Sequence, residues 1–234
     1  VYWFDGFIFI YQIDKGLVSQ VNQERVSSYQ SGQMAWSPDG LSVAFDCALT
    51  SPETSDVCVI DITSGKYEAL TAFQGISNAI SIGSWSRNGE WIAFVIEYFP
   101  EQGFAEGVLS LINPKTREVQ TLYDERNFPE ISYITFPDIS PKSDGLLYQA
   151  NVNGKPEVFL IDLDSNTVNQ ITSADNEFGT TRPIWAPSGD SFFASTALVN
   201  ETGEIELHPI IFSLNGEVMF QPSNLRGWVV DWIN

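Results

Sequence analysis

Hydrophobic and polar residues alternate with period two through most of this 234-residue chain, in short runs. "LSVAFDC" (41–47), "EWIAFVI" (90–96), "GLLYQA" (145–150) and "SFFASTA" (191–197) each follow a cluster of Ser, Pro, Asp, Asn or Gly. Successive side chains of a strand point to opposite faces, so these runs predict half-buried β-strands joined by tight turns. A second set of runs ends in turn residues: "VCVIDITSGK", "VLSLINPKTRE", "VFLIDLDSNT" and "IIFSLNGE". A third set closes each group: "YEALTA", "VQTLYD", "VNQITS" and "VMFQPS". No stretch holds the 3.6-residue period of a helix. No apolar run approaches the roughly 18 residues that would span a membrane as a helix.

The groups repeat. "AWSPDG" at 35–40 returns as "SWSRNG" at 84–89, "DISPKSDG" at 138–145 and "IWAPSGD" at 184–190, and "DWIN" ends the chain at Asn234. The anchor residues are Trp36, Trp85, Ile139, Trp185 and Trp232, spaced 46–54 residues apart. Repeats of that length built from strands predict a β-propeller, with one four-stranded antiparallel blade per repeat. The N-terminal "VYWFDGFIFIYQIDKGLVSQVN" reads as the second, third and fourth strands of a blade whose first strand is "GWVVDWIN". The expectation is one domain, residues 1–234, of five blades: 226–234 plus 1–22, then 31–73, 80–124, 133–173 and 180–222. Both ends of the chain would share one sheet and leave no open edge. The anchor Trp residues are expected in the core between blades, where an aromatic side chain removes about 200 Å² from water.

These residues resemble the TolB-type propeller repeat, a WD-like bacterial family with a W-S-P-D-G-x-x-[IL]-[AV]-[FY] core. "WSPDGLSVAF" at 36–45 follows it almost position for position, "WSRNGEWIAF" at 85–94 nearly so, and the other copies more loosely. The resemblance covers essentially the whole chain. It implies a propeller fold and roles as periplasmic protein-binding, sensor or peptidase-gating domains. Relatives often carry more blades, so five is a departure.

Charge narrows the partners. Eleven Lys and Arg face 30 Asp and Glu, a net charge of −19. Such a surface repels phosphate backbones and anionic lipid, so no nucleic acid and no membrane insertion are expected. The acidic, Lys-poor composition reads as extracytoplasmic. The chain opens at Val1 within a strand and without a signal peptide, which reads as a trimmed product or an excised domain of a longer protein. Cys47 and Cys58 are the only cysteines. A symmetric hairpin would set them opposite each other, with Val43, Phe45 and Cys47 sharing a face with Cys58, Ile60 and Ile62. They form either a cross-strand disulfide or two buried thiols, and the composition tilts towards the bridge.

Chemistry-bearing motifs are few. The single His, His208, sits in a strand pattern, and no nucleophile elbow, zincin or phosphate-loop motif occurs. Two Cys and one His do not make a structural zinc site, and no cofactor or metal is expected. "DLDSNT" at 162–167 has the acidic spacing of a calcium loop but lacks the Gly and the distal Glu, and it falls at a hairpin turn. Asp138 and Asp231 precede anchor residues, and Arg182 lies near another. All three are candidates to line a central channel, where paired acids could serve a glycosidase.

Binding is the favoured role. The loops between second and third strands share a face with the blade connections. They gather Tyr98, Phe99, Glu101, Phe104, Glu106, Phe128, Glu130 and Phe178, with Glu97, Asp175 and Glu177 nearby. Aromatics among carboxylates suit a protein or peptide partner carrying basic groups. The primary expectation is therefore a non-catalytic protein-binding module, joined to further domains. The alternatives are a carbohydrate-active or glycan-binding propeller and a structural spacer. The same aromatics also suit a supporting role within the loops.

Overall fold

The computed structural model describes residues 1–27, 33–48, 54–73, 78–100, 105–127, 131–173, 179–199, 203–222 and 225–227. Every regular element except one 3₁₀ turn, Glu125–Asn127, is a strand. The strands form five antiparallel meanders. The first sheet holds β1 (Tyr2–Phe4), β2 (Phe7–Gln12) and β3 (Leu17–Gln20). The second holds β4 (Ala35–Trp36), β5 (Ser42–Cys47), β6 (Asp56–Asp61) and β7 (Tyr67–Ala69). The third runs β8 (Asn78–Trp85), β9 (Ile92–Tyr98), β10 (Glu106–Ile112) and β11 (Val119–Asp124). The fourth runs β12 (Ile131–Ile139), β13 (Gly145–Val152), β14 (Lys155–Asp162) and β15 (Thr167–Gln170). The fifth runs β16 (Thr180–Trp185), β17 (Ser191–Val199), β18 (Ile205–Ser213) and β19 (Val218–Phe220). Four sheets thus have four strands each, and the first has three among the described residues.

The contacts gather into two compact units, Val1–Asp124 and Glu125–Asn234. Within each, neighbouring sheets pack face to face. In the first unit, Ile8 and Val26 meet Val43, Phe45 and Ile60, and Ala44 and Val57 meet Ile80, Ile82, Phe94 and Ile96. In the second, Leu147 and Val158 meet Trp185, Phe192, Ala194 and Phe212. Middle strands β5, β9 and β13 are buried on both faces, which explains their near-continuous apolar runs. Each fully buried Ile or Phe contributes about 1.5–3 kcal/mol.

The repeated turn is held by its own polar side chains. Ser37 donates its hydroxyl to Asp39 Oδ1 at 2.6 Å, and Leu41 N–H donates to the same oxygen at 2.9 Å. Ser42 N–H then donates to Ser37 Oγ. In "WSRNG", Ser86 and Asn88 repeat the pattern, with Glu90 N–H donating to Asn88 Oδ1.

The anchor residues do not share one fate. Ile139 and Trp185 are each 6 % exposed, and Trp85 is partly buried against the core of the second and third sheets. Trp36 departs from the expected burial, being 37 % exposed. Trp185 shows the reason: its backbone N–H donates to Asp138 Oδ2 and its indole N–H to Asp138 O, both at 2.9 Å. It lies along the first strand of the preceding sheet. Trp36 would need that strand from the first sheet, whose described strands begin at β1. Trp232 and the rest of 228–234 lie outside the described residues.

Candidate functional site

Tyr98, Phe99 and Glu106, three of the residues expected at a recognition surface, lie on the β9–β10 hairpin. The ladder runs further than the sequence suggests, pairing Glu97 with Gly107 and Tyr98 with Glu106. The segment outside the ladder is therefore 99–105, shorter than the 96–107 insertion read from sequence. Tyr98 packs its ring on the core of the second and third sheets, so it is not a free loop anchor. Phe99 is 38 % exposed, and Glu106 is half-buried at the hairpin mouth. Asn78, at the start of β8, pairs with Tyr98 on the other side. Glu101, Phe104, Phe128, Glu130, Phe178, Asp175, Glu177 and Asp231 lie outside the described residues.

Asp138 and Arg182 fall on equivalent first strands, β12 and β16, in the second unit. Both strands bulge just before the anchor. Phe136 and Arg182, each followed by Pro, take φ of 53° and 54°. A proline lacks the N–H that a ladder needs and is tolerated at a bulge. The bulge sets the Arg182 guanidinium 4.8 Å from the centre of the Phe136 ring. Arg182 N–H and Thr181 hydroxyl both donate to the Gln149 side-chain oxygen. Asp138 accepts the Trp185 backbone N–H, so its carboxylate joins two sheets.

Cys47 and Cys58 are joined by a disulfide with Cα atoms 5.9 Å apart. The register differs from the symmetric hairpin. Phe45 lies opposite Cys58 and Cys47 opposite Asp56, so the bridge spans a diagonal. Ala48 N–H donates to Ser27 O and thereby leaves the hairpin ladder. A slip of two residues preserves which face each side chain occupies, and Val43, Phe45, Cys47, Cys58 and Ile60 still share one core. "DLDSNT" is a hairpin turn: Asp162 Oδ1 accepts Asp164 N–H, Ser165 N–H and the Ser165 hydroxyl, as Asp61 does in the second sheet. His208 lies on β18 with its Nε2 3.6 Å from Glu206 Oε2.

Sequence reasoning missed a buried polar pattern. Thr71 accepts Val57 N–H and donates to Asp56 Oδ1, both at 2.9 Å. Thr172 accepts Val158 N–H and donates to Glu157 Oε2 in the same way. Asn22 does related work in the first sheet, accepting Ile8 N–H and donating to Gly6 O. The signal was available as Leu70-Thr71, Ile171-Thr172 and Val21-Asn22, just after the last strands of the second, fourth and first sheets. One member is incomplete. Asp56 is fully buried, and its Oδ2 has no partner among the described residues. The same holds for Thr54 Oγ1, Ser55 Oγ and Asn78 Nδ2, all on residues at most 6 % exposed. A buried polar atom without a partner costs about 1–3 kcal/mol.

Among the described residues, no three His, Cys, Asp or Glu side chains gather as a metal site. No described helix is long and apolar enough to cross a membrane. Five antiparallel meander sheets, stacked face to face within each unit, define an all-β protein of the propeller class. No family model and no curated protein matches the chain. Solved structures do. A protein described as TolB from Agrobacterium tumefaciens matches with TM-score 0.68 and 16 % identity, over 93 % of this chain and 74 % of its own. TolB from Acinetobacter baumannii matches at 0.61 and 15 %, over 91 % and 58 %. Oligogalacturonate lyase from Vibrio parahaemolyticus matches at 0.67 and 10 %, over 92 % and 58 %. The fold is the TolB-type β-propeller, and this chain spans less than two thirds of the last two proteins. At such identities the likeness is one of fold alone.

Proposed function

We propose that this propeller is a non-catalytic, extracytoplasmic binding module whose partner is a protein or peptide bearing basic groups. The observation that carries the reading is Phe99. It is an aromatic side chain 38 % exposed at the mouth of the β9–β10 hairpin, beside Glu97 and Glu106, on a chain of net charge −19. Aromatic anchors supply contact area, and surrounding carboxylates select a cationic partner and speed its approach. The Cys47–Cys58 disulfide favours an oxidising compartment. Asp138, the described member of the acid pair that a glycosidase reading requires, is bonded to Trp185, which favours a structural role for it.

The domain itself is read as five blades, with 226–234 completing the first sheet. Two observations support this. The first sheet is one strand short of the other four. The start of that segment is held on the fifth sheet by Arg226 Nε donating to Glu206 at 2.6 Å and Gly227 N–H donating to Leu207 O at 3.0 Å.

The test begins with capture of partners on the immobilised chain from extracytoplasmic extract of the native source, followed by titration of the purified partner. Phe99→Ala is expected to weaken that affinity by at least about tenfold, the effect of losing one anchor of about 1.4 kcal/mol. Its Tm should be unchanged, and binding should weaken with salt. Equal affinity of the variant, or glycan turnover that disappears in Asp138→Asn, would overturn the reading.

A further inference from the structure

Asn is followed by Gly at Asn88–Gly89, Asn153–Gly154 and Asn215–Gly216, and each pair stands at a turn between strands. All three asparagines are exposed. The sequence leaves each of them open to the same covalent change. The glycine nitrogen, unhindered by a side chain, attacks the side-chain carbonyl carbon of the asparagine and closes a five-membered ring.

The fold treats the three pairs differently. Gly89 N–H donates to Ser86 O at 2.9 Å, and Asn88 Oδ1 accepts the Ser86 hydroxyl and Glu90 N–H. Asn88 Nδ2 donates in turn to Glu90 Oε2 at 3.0 Å. Gly216 N–H donates to Ser213 O at 3.0 Å, Asn215 Oδ1 accepts the Ser213 hydroxyl, and Gly216 is packed against Ile171 O. At both pairs the attacking nitrogen must first give up its own hydrogen bond. Asn153 and Gly154 instead form the two-residue tip of the β13–β14 hairpin, closed by the pairing of Val152 with Lys155, with φ of 52° and 81°. In such a turn the closing hydrogen bond joins the outer residues, so the N–H of the second central residue is not needed for it. Gly154 N–H and the Asn153 amide have no hydrogen-bond partner among the described residues. Gly154 is exposed, whereas Gly89 and Gly216 are half-buried, and nothing lies within 4 Å of its would-be Cβ. The ring closes only when the turn opens, and a hairpin tip with no packed neighbour opens without disturbing the core.

We propose that Asn153 is a site of spontaneous deamidation. Gly154 N loses its proton to hydroxide and bonds to Asn153 Cγ, while the bond from Cγ to the side-chain nitrogen breaks and ammonia leaves. Water then opens the resulting succinimide at either carbonyl and gives aspartate or isoaspartate at position 153. The net change is one water in and one ammonia out, with no oxidant or reductant. Both products add a negative charge to the hairpin. Isoaspartate also lengthens the main chain by one methylene, which spoils the pairing of Val152 with Lys155. This chemistry stands apart from partner binding. It falls, however, on the connection between second and third strands of the fourth sheet, the same kind of connection that carries Phe99 in the third.

The experiment holds the folded chain at mildly alkaline pH and samples it over days, beside the same chain in concentrated urea with its disulfide intact. Peptide mass spectrometry and labelling by an isoaspartyl methyltransferase read each asparagine separately. In the folded chain Asn153 should convert about tenfold faster than Asn88 and Asn215, the factor expected for breaking one or two hydrogen bonds before attack. In urea the three should convert at similar rates. Asn153→Gln should abolish conversion at that position, because the longer side chain closes a six-membered ring far more slowly. The proposal is overturned if Asn153 stays intact in the folded chain while it converts in urea, or if all three convert alike in the folded chain. A preference for Asn153 that persists in urea would overturn it as well, since neighbouring sequence and not the turn would then set the rate.

Discussion

At the scale of single residues, the repeated turn shows how a short polar motif is read by the backbone. Asp39 is held below the ordinary carboxylate pKa, first by the Ser37 hydroxyl and then by Leu41 N–H. Asp61 and Asp162 are lowered in the same direction, first by the Ser64 and Ser165 backbone N–H groups and then by the same residues' hydroxyls, and Asp190 by the Ser188 and Ser191 hydroxyls. A carboxylate lowered on folding contributes stability that is fully present above its unfolded pKa near 4 and is lost as pH falls through the lower folded value. Tm should therefore be flat near neutrality and fall below pH ~4. Asn88 already fills the Asp39 position in the next repeat with the same bonds from Ser86 and Glu90. Asp39→Asn should then leave Tm at pH 7 nearly unchanged and make the acid limb shallower, as a Tm–pH series would show. An unchanged acid limb would mean that the charge at this turn is not coupled to folding. The turns themselves were legible because Ser, Asp, Asn and Gly act within five residues. The burial of each anchor was not, because Trp36 and Trp185 differ only in the sheet beside them.

At the scale of elements, the β6–β7 and β18–β19 hairpins are seated on the neighbouring sheet by the absence of a side chain. Gly216 has φ of 84°, and a Cβ there would lie 2.2 Å from Ile171 O. Gly65 meets Val21 O in the same manner, at 2.3 Å. Gly154 has nearly the same φ, 81°, but nothing within 4 Å of its would-be Cβ. Gly154→Ala should cost only the left-handed backbone penalty, about 1–2 kcal/mol. Gly216→Ala should cost that plus overpacking of about 1–3 kcal/mol. Urea unfolding of the two variants separates the effects, and equal losses would contradict the close approach. Sequence marks all three glycines alike as turn residues. Only the packed neighbour distinguishes a glycine required by φ from one required by space as well. The β5–β6 register belongs to the same class: the pattern sets which face Cys47 and Cys58 occupy, whereas the Ala48–Ser27 bond sets which residues stand opposite.

At the scale of the whole molecule, the proposed union of 226–234 with the first sheet makes the chain ends a stability element. Deleting 228–234 should leave the β1 edge bare, lower Tm by several degrees and promote concentration-dependent association, because an open edge pairs with other chains. A truncated chain that stays monomeric with an unchanged Tm would remove the five-blade reading. The order of the described strands and the sites of their turns were determined by the sequence alone, because alternation and turn chemistry act between residues a few positions apart. So were the acidic character and the propeller class, since a repeat of strands has few ways to bury its faces; the TolB type came from the resemblance carried by "WSPDGLSVAF" and "WSRNGEWIAF". Tertiary structure alone decided that Trp36 is exposed while Trp185 is enclosed, and that Tyr98 turns into the core while Phe99 stays outside. It also decided that Asp56 is buried with one oxygen unserved. Each depends on neighbours tens of residues away, whose approach is set by how sheets pack and not by any local pattern.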